Sequence, residues 1–233
     1  MKRFATLGLA LALLVGLGFL PAQRAEAQGA GMISSILNRM DRNRRETRSL
    51  RAGLTMQKYN SQLRDYDMAQ GQVAYLPGAG RSTNVRVDWT KPARQTLSVV
   101  GEQFTLFTPR LNQAIQGNAR SSKHAKSSGV LSLALTASAA QLKSQYNVEL
   151  AGEGTLYDGG PHVWLLKLTP RGGGGFQFAE IWVDDGGMPV QTRVTERNGD
   201  STLVRLTGIQ KNARVTSDDI KIQLPSGVKI VKG

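Results

Sequence analysis

With 233 residues, 40% of them hydrophobic and 20% charged, the chain is long enough to bury a core and too apolar to be wholly disordered. Its 26 glycines are aperiodic and accompanied by only 8 prolines, which excludes a collagen-like fibre; the absence of cysteine excludes disulfide scaffolds, thiol nucleophiles, cysteine zinc sites and iron–sulfur clusters. Thirty lysines and arginines against 17 aspartates and glutamates leave a net charge of +13, which calls for an anionic partner or a solvated basic face.

The chain opens with Lys2 and Arg3, runs apolar from Leu7 to Leu20, and reaches Ala25-Glu26-Ala27. A basic start, an apolar centre and a small-x-small end are the layout of a secretory signal peptide cleaved after Ala27. A membrane anchor would need about 20 apolar residues, more than this run supplies. The expected division is therefore residues 1–27 as an export signal and 28–233 as one domain, soluble because no later stretch approaches spanning length. Residues 1–27 carry Lys2, Arg3 and Arg24 against Glu26, so +11 of the +13 belongs to the exported part. Export makes nucleic acid a poor partner and an anionic membrane surface or an acidic protein a better one. A solvated basic face with no partner is an equal alternative.

Ile33, Ile36, Leu37 and Met40 follow i, i+3, i+4, i+7 spacing, which predicts an amphipathic helix over about Met32–Thr47. From Asp41 the apolar stripe stops, and the second half is expected to project into solvent. At Leu50 the period becomes two: Leu50, Ala52, Leu54 and Met56 alternate with Arg51, Gly53, Thr55 and Gln57, a half-buried strand. Further strands are expected at about Asp67–Leu76, Thr83–Trp89, Gln95–Val100, Gln103–Thr108 and Gln113–Gln116, separated by turn chemistry such as Pro77-Gly78 and Gly101-Glu102.

Residues 117–128 are polar, basic and serine-rich and read as a loop. Val130–Tyr146 lacks Gly and Pro and favours one or two short helices. Strands resume at about Asn147–Thr155, His162–Thr169, Gly175–Asp184, Pro189–Arg197, Ser201–Gln210 and Ile220–Leu224, with Asn198-Gly199 as the strongest hairpin signal. The expected fold is mainly β with a few helices. It is an unclosed antiparallel β-barrel of about eleven strands, with an N-terminal helix and mid-chain lid helices covering an apolar cavity.

Catalytic chemistry finds little support. His124 falls in the polar loop and His162 at a strand start, neither in a nucleophile motif. Asp184-Asp185 and Asp218-Asp219 could touch a metal, but a turn and a helix N-cap (Thr216-Ser217-Asp218-Asp219) explain them without one. No catalytic residue, metal site or cofactor is assigned, and a binding protein is the better class.

Several segments carry a family resemblance: Ser49–Lys58 as a first strand, Gly71–Tyr75 as a second, Arg81 followed by Val85–Pro92, the hairpin Gly101–Pro109, and the close Ile220–Ile230 with its Pro-x-Gly-Val turn. In order and spacing they resemble the periplasmic outer-membrane lipoprotein carrier (LolA) family over essentially the whole exported chain. The resemblance implies a soluble, monomeric periplasmic carrier that shields the acyl chains of lipoproteins between inner and outer membrane. It would be loaded by an inner-membrane lipoprotein-release complex and unloaded by an outer-membrane receptor; a transient contact with an anionic membrane surface is the separate expectation from net charge. The absence of cysteine favours the soluble carrier over the lipid-anchored receptor branch.

By the same resemblance Arg81 is the arginine that clasps the lid, with Ser82 where the family usually has proline. Val85, Val87 and Trp89 are expected to face the cavity. Leu54, Met56, Phe104, Leu106, Trp164, Leu166, Phe178 and Trp182 are further lining candidates, each dependent on strand phase. Thr105 stands where tryptophan is common in the family. Two alternatives accompany the lipoprotein carrier: a carrier of free lipid or glycolipid on the same fold, and an envelope protein that uses the domain for protein–protein contact.

Overall fold

Alternating apolar and polar residues put most of this chain into strands of one sheet. The computed structural model describes residues 22–78, 83–119, 130, 133, 136–173 and 175–233. Helix α1 (Ala22–Glu46) leads into six strands, β1 (Leu50–Asn60), β2 (Asp65–Pro77), β3 (Thr83–Lys91), β4 (Gln95–Gly101), β5 (Gln103–Thr108) and β6 (Gln113–Asn118), with a 3-10 turn at Pro109–Leu111. Helix α2 (Ala139–Gln145) precedes β7 (Tyr146–Thr155), β8 (His162–Pro170), β9 (Phe178–Asp184), β10 (Pro189–Thr195) and β11 (Ser201–Lys211). A single-turn helix α3 (Ser217–Ile220) and a short β12 (Lys229–Lys232) close the chain.

The strands form one sheet in the order β12-β6-β5-β4-β3-β2-β1-β11-β10-β9-β8-β7, an unclosed, mainly antiparallel barrel wall. The two halves of the meander meet at β1, which pairs with β2 on one side and β11 on the other. Both free edges are blunted: β12 has four residues and carries Lys229 and Lys232, while β7 lies against α1 and α2. No described helix is long and apolar enough to cross a membrane.

The last expected strand is corrected. Residues 220–224 do not pair with the sheet; Ser217–Ile220 is helical, and the terminal strand β12 lies further on and runs parallel to β6 rather than antiparallel. The alternation at 221–224 is real, with Lys221 and Gln223 exposed and Ile222 and Leu224 half-buried. It arises because the segment crosses the strands on the outer face of the sheet: the Ser98 hydroxyl donates to the Ile220 carbonyl (2.7 Å) and Arg86 to that of Lys221 (3.0 Å). Period-two burial reports one covered face and not a ladder partner.

Helix α1 also differs from expectation. It starts at Ala22, ten residues before the expected Met32, and it is the earlier part that stands clear of the body, with Ala30, Gly31 and Met32 exposed. The later part is packed. Asn43 and Thr47 continue the buried stripe of Ile36 and Met40 with polar side chains satisfied internally. Asn43 donates to the Met188 sulfur (3.2 Å) and accepts from Lys211 Nζ (2.6 Å), and the Thr47 hydroxyl donates to the Asn43 carbonyl (2.7 Å). Apolar periodicity alone cannot register such a stripe.

In the mid-chain region Ser138 caps α2 through a capping box with Gln141, so the expected short helix forms at 139–145. Most of the basic loop 117–128 lies outside the described residues; Gly117 and Asn118 are the end of β6.

One close approach seats α1 on the sheet. Gly187, in the β9–β10 turn, has φ +81° and lies so near the Arg39 peptide that a Cβ there would sit 2.3 Å from the Arg39 carbonyl carbon. Only glycine tolerates both constraints. Gly187→Ala should lower stability by about 2–3 kcal/mol in urea unfolding; a change within about 0.5 kcal/mol, the range of an inert surface substitution, would mean that this contact does not hold the helix.

The crossing segment is fastened by α3. Thr216 and Asp219 form a capping box, in which Asp219 accepts from the Thr216 N–H (2.8 Å) and hydroxyl (3.0 Å), and Arg51 lies 3.3 Å away. The bonds from Thr216 hold the Asp219 carboxyl below the usual aspartate range, with a smaller contribution from Arg51. Because the folded value is depressed, the contribution to stability is present above the unfolded pKa and disappears as pH falls through the folded one. An NMR titration should place the Asp219 midpoint below that of an ordinary aspartate, and Thr216→Ala should bring it part of the way back.

Candidate functional site

The ladders define what faces inward. Leu50, Tyr75, Val85, Val99 and Phe104 stand opposite one another across β1 to β5, and Ala52, Val73, Val87, Leu97 and Leu106 form the next row. Leu54, Gly71 and Trp89 make a third. Gly71 lets the β3 backbone approach closely, since a Cβ there would meet the Asp88 carbonyl oxygen at 2.4 Å. A further row runs through the other half of the sheet, from Met56 through Val204, Thr192 and Ile181 to Leu166 and Leu150. The two halves thus share one apolar inner surface, because each strand shows that surface every second residue.

Within this surface the expected lining residues divide. Leu54, Met56, Val85, Val87, Trp89 and Phe104 are buried members of one cluster, and Leu106 packs against it. Val85 and Val87 are each 1% exposed, while Arg86 and Asp88 take the other face and pair with each other at 2.8 Å. Val130, from the mid-chain region, reaches into the same cluster. Trp164 and Leu166 also face inward, but they belong to a second cluster under Ile36, Leu37 and Met40 of α1 and Ala139 and Leu142 of α2. Trp164 is held there by the Arg39 guanidinium 4.8 Å from its ring centre and the edge of His162 at 5.0 Å.

Phe178 and Trp182 stand out of phase with the other candidates. On β9 it is Ala179, Ile181 and Val183 that turn to the helices, each 0% exposed, so the aromatics take the alternate phase, from which Trp182, partly buried, still packs against the first cluster. There each lies beneath a cation, Phe178 below Lys167 Nζ at 4.9 Å and Trp182 below the Arg193 guanidinium at 5.6 Å. Arg193 in turn pairs with Glu180, and this bond holds the guanidinium pKa above its ordinary value. The phase of Phe178 and Trp182 also carries Glu180 and Asp184, and the uncharged phase of Ala179, Ile181 and Val183 packs below the helices. Arg81 lies outside the described residues, as does His124.

Polar features of the interior are few. Between α1 and β2 a cleft of about 10 Å³, room for one water, is lined by residues that include Met40, Asn43, Arg44, Tyr75 and Met188. Burial pushes the Tyr75 phenol pKa up, and nearby Arg44 opposes the shift. Deeper in the wall, Thr192 is 2% exposed between Ile181 and Val204, and its hydroxyl has no hydrogen-bond partner. An unsatisfied buried hydroxyl costs about 1–3 kcal/mol. Thr192→Val keeps the shape and should raise stability by about 1 kcal/mol in thermal or urea unfolding; no gain would mean that the hydroxyl is satisfied in solution.

Elsewhere, Asp184 accepts from the Met188 N–H (2.7 Å) in the β9–β10 turn and Asp185 meets His162 at 3.0 Å, both on the surface. Among the described residues no three His, Asp or Glu side chains gather as a metal site.

An open sheet whose inner rows are apolar but for Thr192, with helices packed over β7 to β9, is the frame of a carrier or binding protein for hydrophobic ligands. Residues 55–223 match the model of the outer membrane lipoprotein carrier protein LolA, and the chain belongs to that family. In three dimensions it is similar to MucB, with a TM-score of 0.55 at 17% identity over 84% of this chain and 64% of MucB. It is also similar to MucB in the Pseudomonas aeruginosa MucA/MucB complex, with a TM-score of 0.50 at 18% identity over 82% of this chain and 61% of the other. An uncharacterized conserved protein from Thermus thermophilus gives 0.54 at 15% identity, over 87% and 99%. The chain thus spans about three-fifths of the MucB chains it resembles, and these likenesses show the shared fold. No curated protein matches the sequence.

Proposed function

We propose that this protein is a periplasmic carrier of lipoproteins, taking up their acyl chains on the inner face of the sheet and moving them from inner to outer membrane. The observation that carries the reading is the unbroken inner surface around Val85, Val87, Trp89 and Phe104, joined to the family match. An acyl chain in water costs about 0.8 kcal/mol per CH₂. Against Leu, Val and Met side chains that cost disappears, and exchanging one hydrocarbon neighbour for another changes little when the cargo leaves. Release to a receptor therefore needs only a modest drive.

The export signal at 1–27, the lid clasp at Arg81, and loading and unloading by membrane partners belong to the same proposal. MucB is seen with MucA, which makes contact with a protein partner a property of the fold elsewhere.

Organic extraction of protein purified from the periplasm, followed by mass spectrometry of both fractions, should yield acylated peptides. Free phospholipid or glycolipid in their place would identify a lipid carrier. An empty extract with no uptake of a fluorescent fatty acid would refute lipid carriage altogether and leave protein–protein contact as the role.

A further inference from the structure

The antiparallel order brings five turns to one end of the barrel: 61–64 between β1 and β2, 92–94 between β3 and β4, 109–112 between β5 and β6, the turn after β8, and 196–200 between β10 and β11. Each carries one exposed arginine, Arg64, Arg94, Arg110, Arg171 and Arg197 in turn, against only Glu196 and Asp200 as acids among their described residues. The three hairpin turns described in full at the other end hold Glu102, Asp158 and Asp185 and no cation; the cations there, such as Arg45, Arg48, Lys211 and Arg214, belong to the end of α1, the α1–β1 connection and the end of β11 with the segment that follows it. The described hairpin turns are thus sorted by charge, although the sequence scatters their arginines over more than a hundred residues.

The basic end also exposes apolar side chains. Leu63 at the β1–β2 tip is 76% exposed and Leu111 at the β5–β6 tip 64%, each beside one of these arginines. Tyr66 (55%) and Met68 (56%) flank the first tip on β2, interleaved with the exposed acids Asp65 and Asp67. Neither leucine sits on a loose loop. The Asn60 side chain accepts from the Gln62 and Leu63 N–H groups (3.0 and 2.9 Å), and Ser61 bonds to Asn198 and Asp200 across to the β10–β11 turn. Asn112 closes the second tip by donating to the Pro109 carbonyl (3.0 Å) and to that of Gly227 (3.0 Å).

We propose that this end of the barrel docks on the surface of an anionic phospholipid membrane, with the guanidinium groups at the headgroups and Leu63 and Leu111 inserted at the acyl boundary. A planar partner suits the pattern. Protein interfaces gather their apolar anchors near one centre, whereas here single leucines stand on separate hairpin tips, each with an arginine able to stay in the headgroup layer while its neighbour inserts. Tyr66 has the amphipathic ring that favours the membrane–water boundary. The proposal is independent of what the inner surface carries.

Co-sedimentation of the purified protein with vesicles tests it. Vesicles of phosphatidylethanolamine and phosphatidylglycerol should bind the protein, steeply less so with added salt, and phosphatidylcholine vesicles should not. Arg64→Gln and Arg110→Gln should each weaken binding about fivefold, and Leu63→Ser with Leu111→Ser about tenfold while the salt dependence remains. Asp158→Asn, at the other end, should leave binding unchanged. Thermal melts identical to the parent would establish that these surface variants fold. Absence of binding to the anionic vesicles, equal binding to both kinds, or parental binding by the arginine variants would overturn the proposal. Retention of the rim only by an acidic protein, with no vesicle binding, would overturn it too.

Discussion

The pairing of β1 with β11 is the constraint on which the rest of the structure depends. It joins chain segments some 150 residues apart, from Leu50 opposite Lys211 to Tyr59 opposite Ser201. Without it the first six strands and the next five would be two separate meanders, each too narrow to enclose anything. A slip of one residue would turn Leu50, Ala52, Leu54 and Met56 outward and bring Arg51 and Gln57 against the core. The register is therefore enforced by burial on both sides of β1, and the irregularity opposite Arg51 and Gly53 places an extra residue on β11 while the alternation of β1 continues unbroken.

From that register follows a surface with little preference for a particular ligand shape. Its lining is mainly Val, Leu, Met and Ala, with Tyr75, Trp89 and Phe104 as the large exceptions, and hydrocarbon packs against hydrocarbon without directional bonds. The helices divide this surface unequally. Over β7 to β9 it is sealed by α1 and α2, whose seat depends on Gly187 meeting the Arg39 backbone. Trp164 and Leu166 therefore pack as core under the helices, and the part of the inner face outside that seal lies on β1 to β5, where Val130 packs against it.

How much of this was legible beforehand follows from what each pattern reports. The strands before β12 and the inward phase of β3 could be read because one face is apolar and the other charged: Val85 and Val87 alternate with Arg86 and Asp88, and only one phase can be buried. On β9 the same signal was present, since Glu180 and Asp184 share the phase of Phe178 and Trp182, but two large aromatics masked it. The uncharged Ala179, Ile181 and Val183 are the side chains that the helices bury. The buried end of α1 escaped for a related reason, as Asn43 and Thr47 are buried through specific partners at Met188 and Lys211 that lie far along the chain. Residues 220–224 misled because crossing a sheet and pairing with it leave the same period in the sequence.

Net charge shows the same limit in another form. A total of +13 speaks to association and cannot say where on the molecule it acts. Topology supplies the place: in an antiparallel meander alternate turns fall at the same end, so a charge rule applied to every second turn becomes a charged rim. Turns also tolerate substitution far better than the strands they join, and the arginines at 64, 94, 110, 171 and 197 are exposed turn residues outside the rows that line the interior. Affinity for an anionic surface can therefore change turn by turn while the inner face stays fixed by its register. That separation suits a carrier, which must meet a membrane briefly and hold its cargo for longer, because the first contact is screened by salt and the second is not.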